Sequence, residues 1–207
     1  MTARINSSFS FSTGVYFSNE FILNMYDINV DFNVESEQIR EQNIALERIK
    51  YFLNYCVQNS IFICEDEDEA IQKYLDADLK VCTLPEEPYD QIIGIMLISK
   101  LNSILEGRMI VTDIEITSSM SDGVWCKHSM EENLGPFLKP GWWSDSSTKI
   151  NNITKKNRSK KVVKLVKNNV AWEDMYLGWE ETPITTIATG PSNEVMFANF
   201  DNKTDKS

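Results

Sequence analysis

The chain has 207 residues, 42% hydrophobic, 25% charged and 11% aromatic, enough apolar material for a domain with its own core and too aromatic for wholesale disorder. A formal charge of -11 sets the body against nucleic acid unless a basic element is held away from it. No apolar run approaches the roughly 20 residues that cross a bilayer, and residues 1–6 carry no apolar signal segment, so a cytoplasmic location is expected.

The first segment reads as two strands. In residues 8–17, Phe9 and Phe11 alternate with serine. In residues 27–34, Ile28, Val30, Phe32 and Val34 fall on one face and Asp27, Asn29, Asp31 and Asn33 on the other, the pattern of an antiparallel strand with one wet face. Ser36 is placed to cap a helix of some twenty residues, with Ile39, Leu46, Ile49, Leu53 and Cys56 at helical spacing. A short apolar strand follows at 60–64. A small helix then begins in the acidic run 65–69, and a further strand is expected at 79–84. Pro88 opens a strongly apolar helix that Gly107 closes. The stretch 109–119 reads as a strand with Ile110, Thr112, Ile114 and Ile116 on one side, and Ser121–Gly123 turns it into a hairpin with 124–129.

The expected fold class is therefore α+β: an antiparallel sheet in ββ-α-(αβ)-α-ββ order, packed on two main helices. Two hairpins flanking two helices resembles the topology of the tunnelling fold of pterin and purine enzymes; a ferredoxin-like sandwich fits nearly as well. The zinc-dependent members of the tunnelling-fold family use several histidines. This chain has His128 alone, so the resemblance carries over no zinc site.

Regular patterning ends near residue 130. The expected division is a compact domain over 1–130 and an extended C-terminal arm over 131–207. The arm holds an aromatic-rich loop with Trp142 and Trp143, a basic segment, and an acidic amphipathic stretch with Trp172, Tyr176 and Trp179 at i, i+4 and i+7. Seven cations, Lys155, Lys156, Arg158, Lys160, Lys161, Lys164 and Lys167, crowd the basic segment. From 146 to 172 there are eight basic residues and no acid, which leaves -19 on the remainder.

Chemistry is sparse. No phosphate-cradling glycine loop and no nucleophile elbow occurs. The four cysteines (Cys56, Cys64, Cys82, Cys126) form no C-x-x-C pair and read as small buried hydrophobes. Cys126 and His128 share a strand face, which suggests a thiol beside a base only if a third group orients them. Asp27, Asp31, Asp113 and Glu115 would gather a divalent cation if their two strands were neighbours; a solvated sheet face is the plainer expectation. No metal and no cofactor is expected.

These observations favour a non-enzymatic interaction or assembly protein that docks to a protein partner or sister subunit. Trp142, Trp143, Trp172, Tyr176 and Trp179 would be its anchors, and the basic segment its electrostatic guide. The Asn-, Ile- and Lys-rich composition is similar to that of accessory proteins of tailed bacteriophages. The alternatives are a nucleic-acid-binding protein using residues 155–167, and a small metal- or nucleotide-dependent enzyme with a tunnelling-fold-like body.

Overall fold

The computed structural model describes residues 3–132, 134–153 and 172. Strands β1 (Ala3–Phe17) and β2 (Glu20–Val34) form one long hairpin. Its two-residue turn, Ser18 and Asn19, has both φ angles positive, at 50° and 64°, which matches the right-handed twist of the flanking strands. Helix α1 (Ile39–Tyr51) runs into a wider π-helical turn at Phe52–Val57. Strand β3 (Ser60–Cys64), helix α2 (Asp68–Asp76) and strand β4 (Lys80–Leu84) make a small parallel unit. Helix α3 (Asp90–Leu105) then leads into the hairpin of β5 (Met109–Ser118) and β6 (Cys126–Ser129).

The six strands lie in the order β4-β3-β1-β2-β5-β6. Strands β1, β2, β5 and β6 pair antiparallel, as expected, while β3 and β4 extend the sheet in parallel through Gly14↔Ile61 and Val15↔Phe62. The sheet is therefore mixed and the fold α+β. Ile28, Val30 and Phe32 of β2 are fully buried beneath Ile93, Met96, Leu97 and Leu101 of α3. The opposite face of the β1–β2 hairpin carries polar ladders: Asn6 donates to Asp31 (2.8 Å), Ser8 to Asn29 (2.7 Å) and Ser10 to Asp27 (2.5 Å).

Two local expectations are corrected. The first helix starts at Ile39, which is 72% exposed and outside the buried stripe. Ser36 does not cap it; its hydroxyl accepts from the Gln38 N–H in the preceding loop. The second concerns β5. Asp31 pairs with Asp113 and the next residue, Phe32, with Val111, so Thr112 is an extra residue in the ladder. The bulge inverts the alternation. Met109 and Val111 are buried before it, and Ile114 and Ile116 after it, so Ile110 and Thr112 do not share a face with the two later isoleucines.

Residues 134–151 lie against the body. Lys100 of α3 is completely buried, and its ammonium donates to the carbonyls of Trp142 (2.9 Å), Asp145 (2.6 Å) and Ser147 (2.7 Å). The ammonium also lies 5.6 Å from the ring centroids of Phe52 and Trp142. The outer edge of β4 is covered as well: Thr83 N–H donates to Ile150 O, and the Asn151 amide to Val81 O.

Candidate functional site

The polar feature least explained by packing sits where β2 begins, β5 ends and α3 starts. By strand alternation Asn24 and Tyr26 point the same way as the apolar Ile28 and Val30, and are buried with them. Thr13 lies opposite Asn24, and Ser118 opposite Tyr26. Ser60 stands one residue before the first β1–β3 pair. Thr13, Asn24, Tyr26 and Ser60 are all at most 3% exposed. Asp90, in the first turn of α3, is half-buried and accepts from Ser118 Oγ (2.9 Å). Ser119 Oγ donates to Asn24 Oδ1 (2.6 Å).

Three buried hydroxyls here, Thr13 Oγ1, Tyr26 Oη and Ser60 Oγ, make no hydrogen bond of good geometry among the described residues. A buried polar group left unmatched costs about 1–3 kcal/mol. Burial raises the Asp90 carboxyl above the usual carboxylate range, with the Ser118 hydrogen bond opposing. Burial also raises the Tyr26 phenol; the neighbouring Asp90 charge adds to this, and the Asn24 side chain works against it. The phenol therefore stays a neutral donor at physiological pH. On the rim, Tyr89 (52% exposed) packs edge-on against Phe17 at 5.1 Å, and Met120 is 49% exposed.

The sequence reading singled out none of these residues, although the signal was there. Asn24 and Thr13 occupy inward positions in mainly apolar alternations, and Ser60 opens an otherwise apolar strand. Asp90, two residues after Pro88 in the first turn of α3, is set apart by no local pattern.

Other candidates resolve differently. The strands bearing Asp27, Asp31, Asp113 and Glu115 are indeed neighbours, with Asp31 facing Asp113 and Glu115 facing Asn29. Yet Asp31 and Asp27 accept from Asn6 and Ser10, and Glu115 pairs with Lys127 (3.4 Å). Among the described residues no group of His, Cys, Asp or Glu could hold a metal ion. Cys126 and His128 do face inward together, but burial and Asp90 raise the Cys126 thiol, which keeps it protonated and weakly nucleophilic. His128 is pressed against Gly94 of α3, with its Nε2 buried and unmatched among the described residues. An open cleft of about 220 Å³ between α2 and residues 152–153 is walled by Glu65, Asp68 and Gln72.

Three of the four tryptophans expected as anchors are buried in the described structure. Trp142, Trp143 and Trp172 are 1%, 4% and 3% exposed. Trp142 Nε1 donates to Thr83 O (2.8 Å), and Trp143 Nε1 to Phe137 O (3.1 Å) and Lys139 O (2.9 Å). Trp172 Nε1 donates to Ser146 O, and its ring lies edge-on to Tyr51 and 5.1 Å from the Arg48 guanidinium. Adjacent Trp142 and Trp143 both turn inward because they sit in a tight 3₁₀ turn, not in an extended segment whose neighbours point opposite ways. Tyr176, Trp179, Lys155, Lys156, Arg158, Lys160, Lys161, Lys164 and Lys167 lie outside the described residues.

No family model and no curated protein matches the sequence. Solved structures do resemble the fold. An uncharacterized protein of Wolinella succinogenes is 11% identical with a TM-score of 0.48, the match covering 63% of this chain and 99% of the other. The 6-pyruvoyltetrahydropterin synthase of Plasmodium vivax is 12% identical with a TM-score of 0.42, over 62% and 97%. That of Plasmodium falciparum is 15% identical with a TM-score of 0.39, over 61% and 96%. At such identities the likeness concerns the fold.

The expectation of a non-enzymatic, phage-like assembly protein docking through a bipolar C-terminal arm is corrected. The three described anchor tryptophans are core residues with their indole N–H groups satisfied. Among the described residues no helix is long and apolar enough to cross a membrane.

Proposed function

We propose that this protein binds a small, N–H-rich polar molecule at the end of the sheet beneath α3, with Asp90 as the charged anchor. The observation that carries this reading is the cluster of buried, unmatched hydroxyls beside a half-buried carboxylate. A folded chain tolerates such groups when a ligand or bound water completes them. Asp90 offers acceptor capacity beyond its Ser118 bond, and Tyr26 offers a donor. A complementary ligand presents two N–H groups to the carboxylate and an acceptor to the phenol, as amidine-like heterocycles do. Tyr89 and Phe17 supply an aromatic margin. Pterins, the compound class in the synthases' name, belong among the probes.

The test is isothermal titration of the full chain with pterins, purines and guanidines, repeated with Asp90→Asn. The expected result is saturable binding by one of these classes, weakened on the order of 10- to 100-fold by the substitution, as for loss of a charge-assisted hydrogen bond. Binding unaffected by Asp90→Asn, or none across the panel, refutes the assignment.

A further inference from the structure

The described residues leave a long stretch of β1 bare on one side. Strand β1 pairs with β2 along its whole length, but with β3 only at Gly14 and Val15. Ser12 marks which backbone groups face that side: its N–H donates to Gln58 Oε1 (3.0 Å) and its carbonyl accepts from Asn59 N–H (2.8 Å). Because strand residues alternate, the N–H and C=O groups of Arg4, Asn6, Ser8 and Ser10 point the same way as those of Ser12. Beyond Ser12 no described residue pairs with them.

Natural edges are guarded by charge, proline, bulges, short length or a covering segment. The β4 edge is covered by Ile150 and Asn151. The β6 edge is four residues long and carries Lys127. Residues 5–11 of β1 have no charged residue, no proline and an unbroken register with β2, with Arg4 the one charge beside them. On the helix-covered face, Ile5 and Phe9 are only partly buried against the core.

We infer that β1 pairs antiparallel with β1 of a second copy of this chain, across a two-fold axis at Ser7. In that register Arg4 faces Ser10 and Asn6 faces Ser8, so every edge-facing N–H and C=O finds a partner. Ile5 meets Phe9 on the core side, which covers both. The pairing is also complementary in charge. Arg4 of each copy arrives beside Ser10, whose hydroxyl is bonded to Asp27 on the same open face, and the guanidinium is long enough to reach that carboxylate.

The test uses the full chain. Sedimentation of the wild type is expected to show a dimer at micromolar concentration, and mild oxidation of Ser7→Cys to give a reducible covalent dimer in high yield. Ser7 pairs with itself at a non-hydrogen-bonded position, where Cα atoms are about 4.5 Å apart, within disulfide range. Arg4→Glu should weaken the dimer about 3- to 10-fold. A monomer at tens of micromolar overturns the proposal, because the edge is then covered within one chain. A larger assembly in which Ser7→Cys fails to cross-link, while Asn6→Cys with Lys127→Cys succeeds, also overturns it, because β1 then meets β6 of the next copy.

Discussion

Gly94 makes the sharpest demand on packing. A Cβ at this position would stand 2.6 Å from His128 Cδ2, 3.0 Å from Nε2 and 3.1 Å from Ile116 Cγ2. In an unconstrained helix interior, Gly→Ala stabilises by about 1 kcal/mol through backbone entropy. Here the added methyl must displace a buried ring held between α3 and β6. Overpacking of this kind costs about 1–3 kcal/mol. Gly94→Ala is therefore expected to lose about 1–2 kcal/mol net, a fall in Tm of about 2–8 °C for a chain of this size. The decisive measurement is a double-mutant cycle by urea unfolding. With His128→Ala as background the ring clash is gone and only the milder 3.1 Å contact to Ile116 Cγ2 opposes the propensity term, so Gly94→Ala should become neutral or stabilising. The coupling expected is about 1–3 kcal/mol. The same destabilisation in both backgrounds, or stabilisation in the wild type, would show that His128 does not press on the helix and refute the packing argument.

Other outcomes follow from the same structure. Burial lowers the pKa of His128, with Glu132, 4.0 Å away, opposing. The unfolded chain therefore takes up the proton first, and stability should fall as pH drops below about 6.5; urea unfolding at pH 7.5 and 5 should show a loss that His128→Leu lessens. Lys100→Met leaves three carbonyls without their donor but also removes a buried charge, so the expected loss is about 2–4 kcal/mol by thermal or urea unfolding. Burial pulls the Lys100 ammonium from 10.5 down to about 8, with Asp145 holding it up. Between these values the unfolded chain holds the extra proton, so the part of the stability due to Lys100 should rise with pH across that window, and the rise should be missing in the variant.

Much of the secondary structure was legible. Ile28 to Val34 declared the inner face of β2 because a period-2 pattern on a sheet with one buried face has a single solution. The apolar stripe of α3 and the left-handed Gly107 that closes it followed from equally local chemistry. The bulge at Thr112 was not legible, since Ile110 and Ile114 suit either face and only the partner strand decides the register. The candidate site was legible in part: polar residues at inward positions of β1, β2 and β3 were visible, but their neighbourhood with Asp90 was not.

By itself, then, the sequence determined which residues seek burial and where the chain must turn, because solvation and backbone propensity act locally. The tertiary structure decided which polar residues were carried inside with them. Trp142 and Trp143 show the difference: two adjacent aromatics suggest a surface anchor, and a tight turn held by Lys100 makes both of them core. Asp90, Tyr26 and Thr13 show its counterpart, three ordinary residues that β2, β1 and α3 bring together only because the sheet order sets β1 against β2 and lays α3 across them.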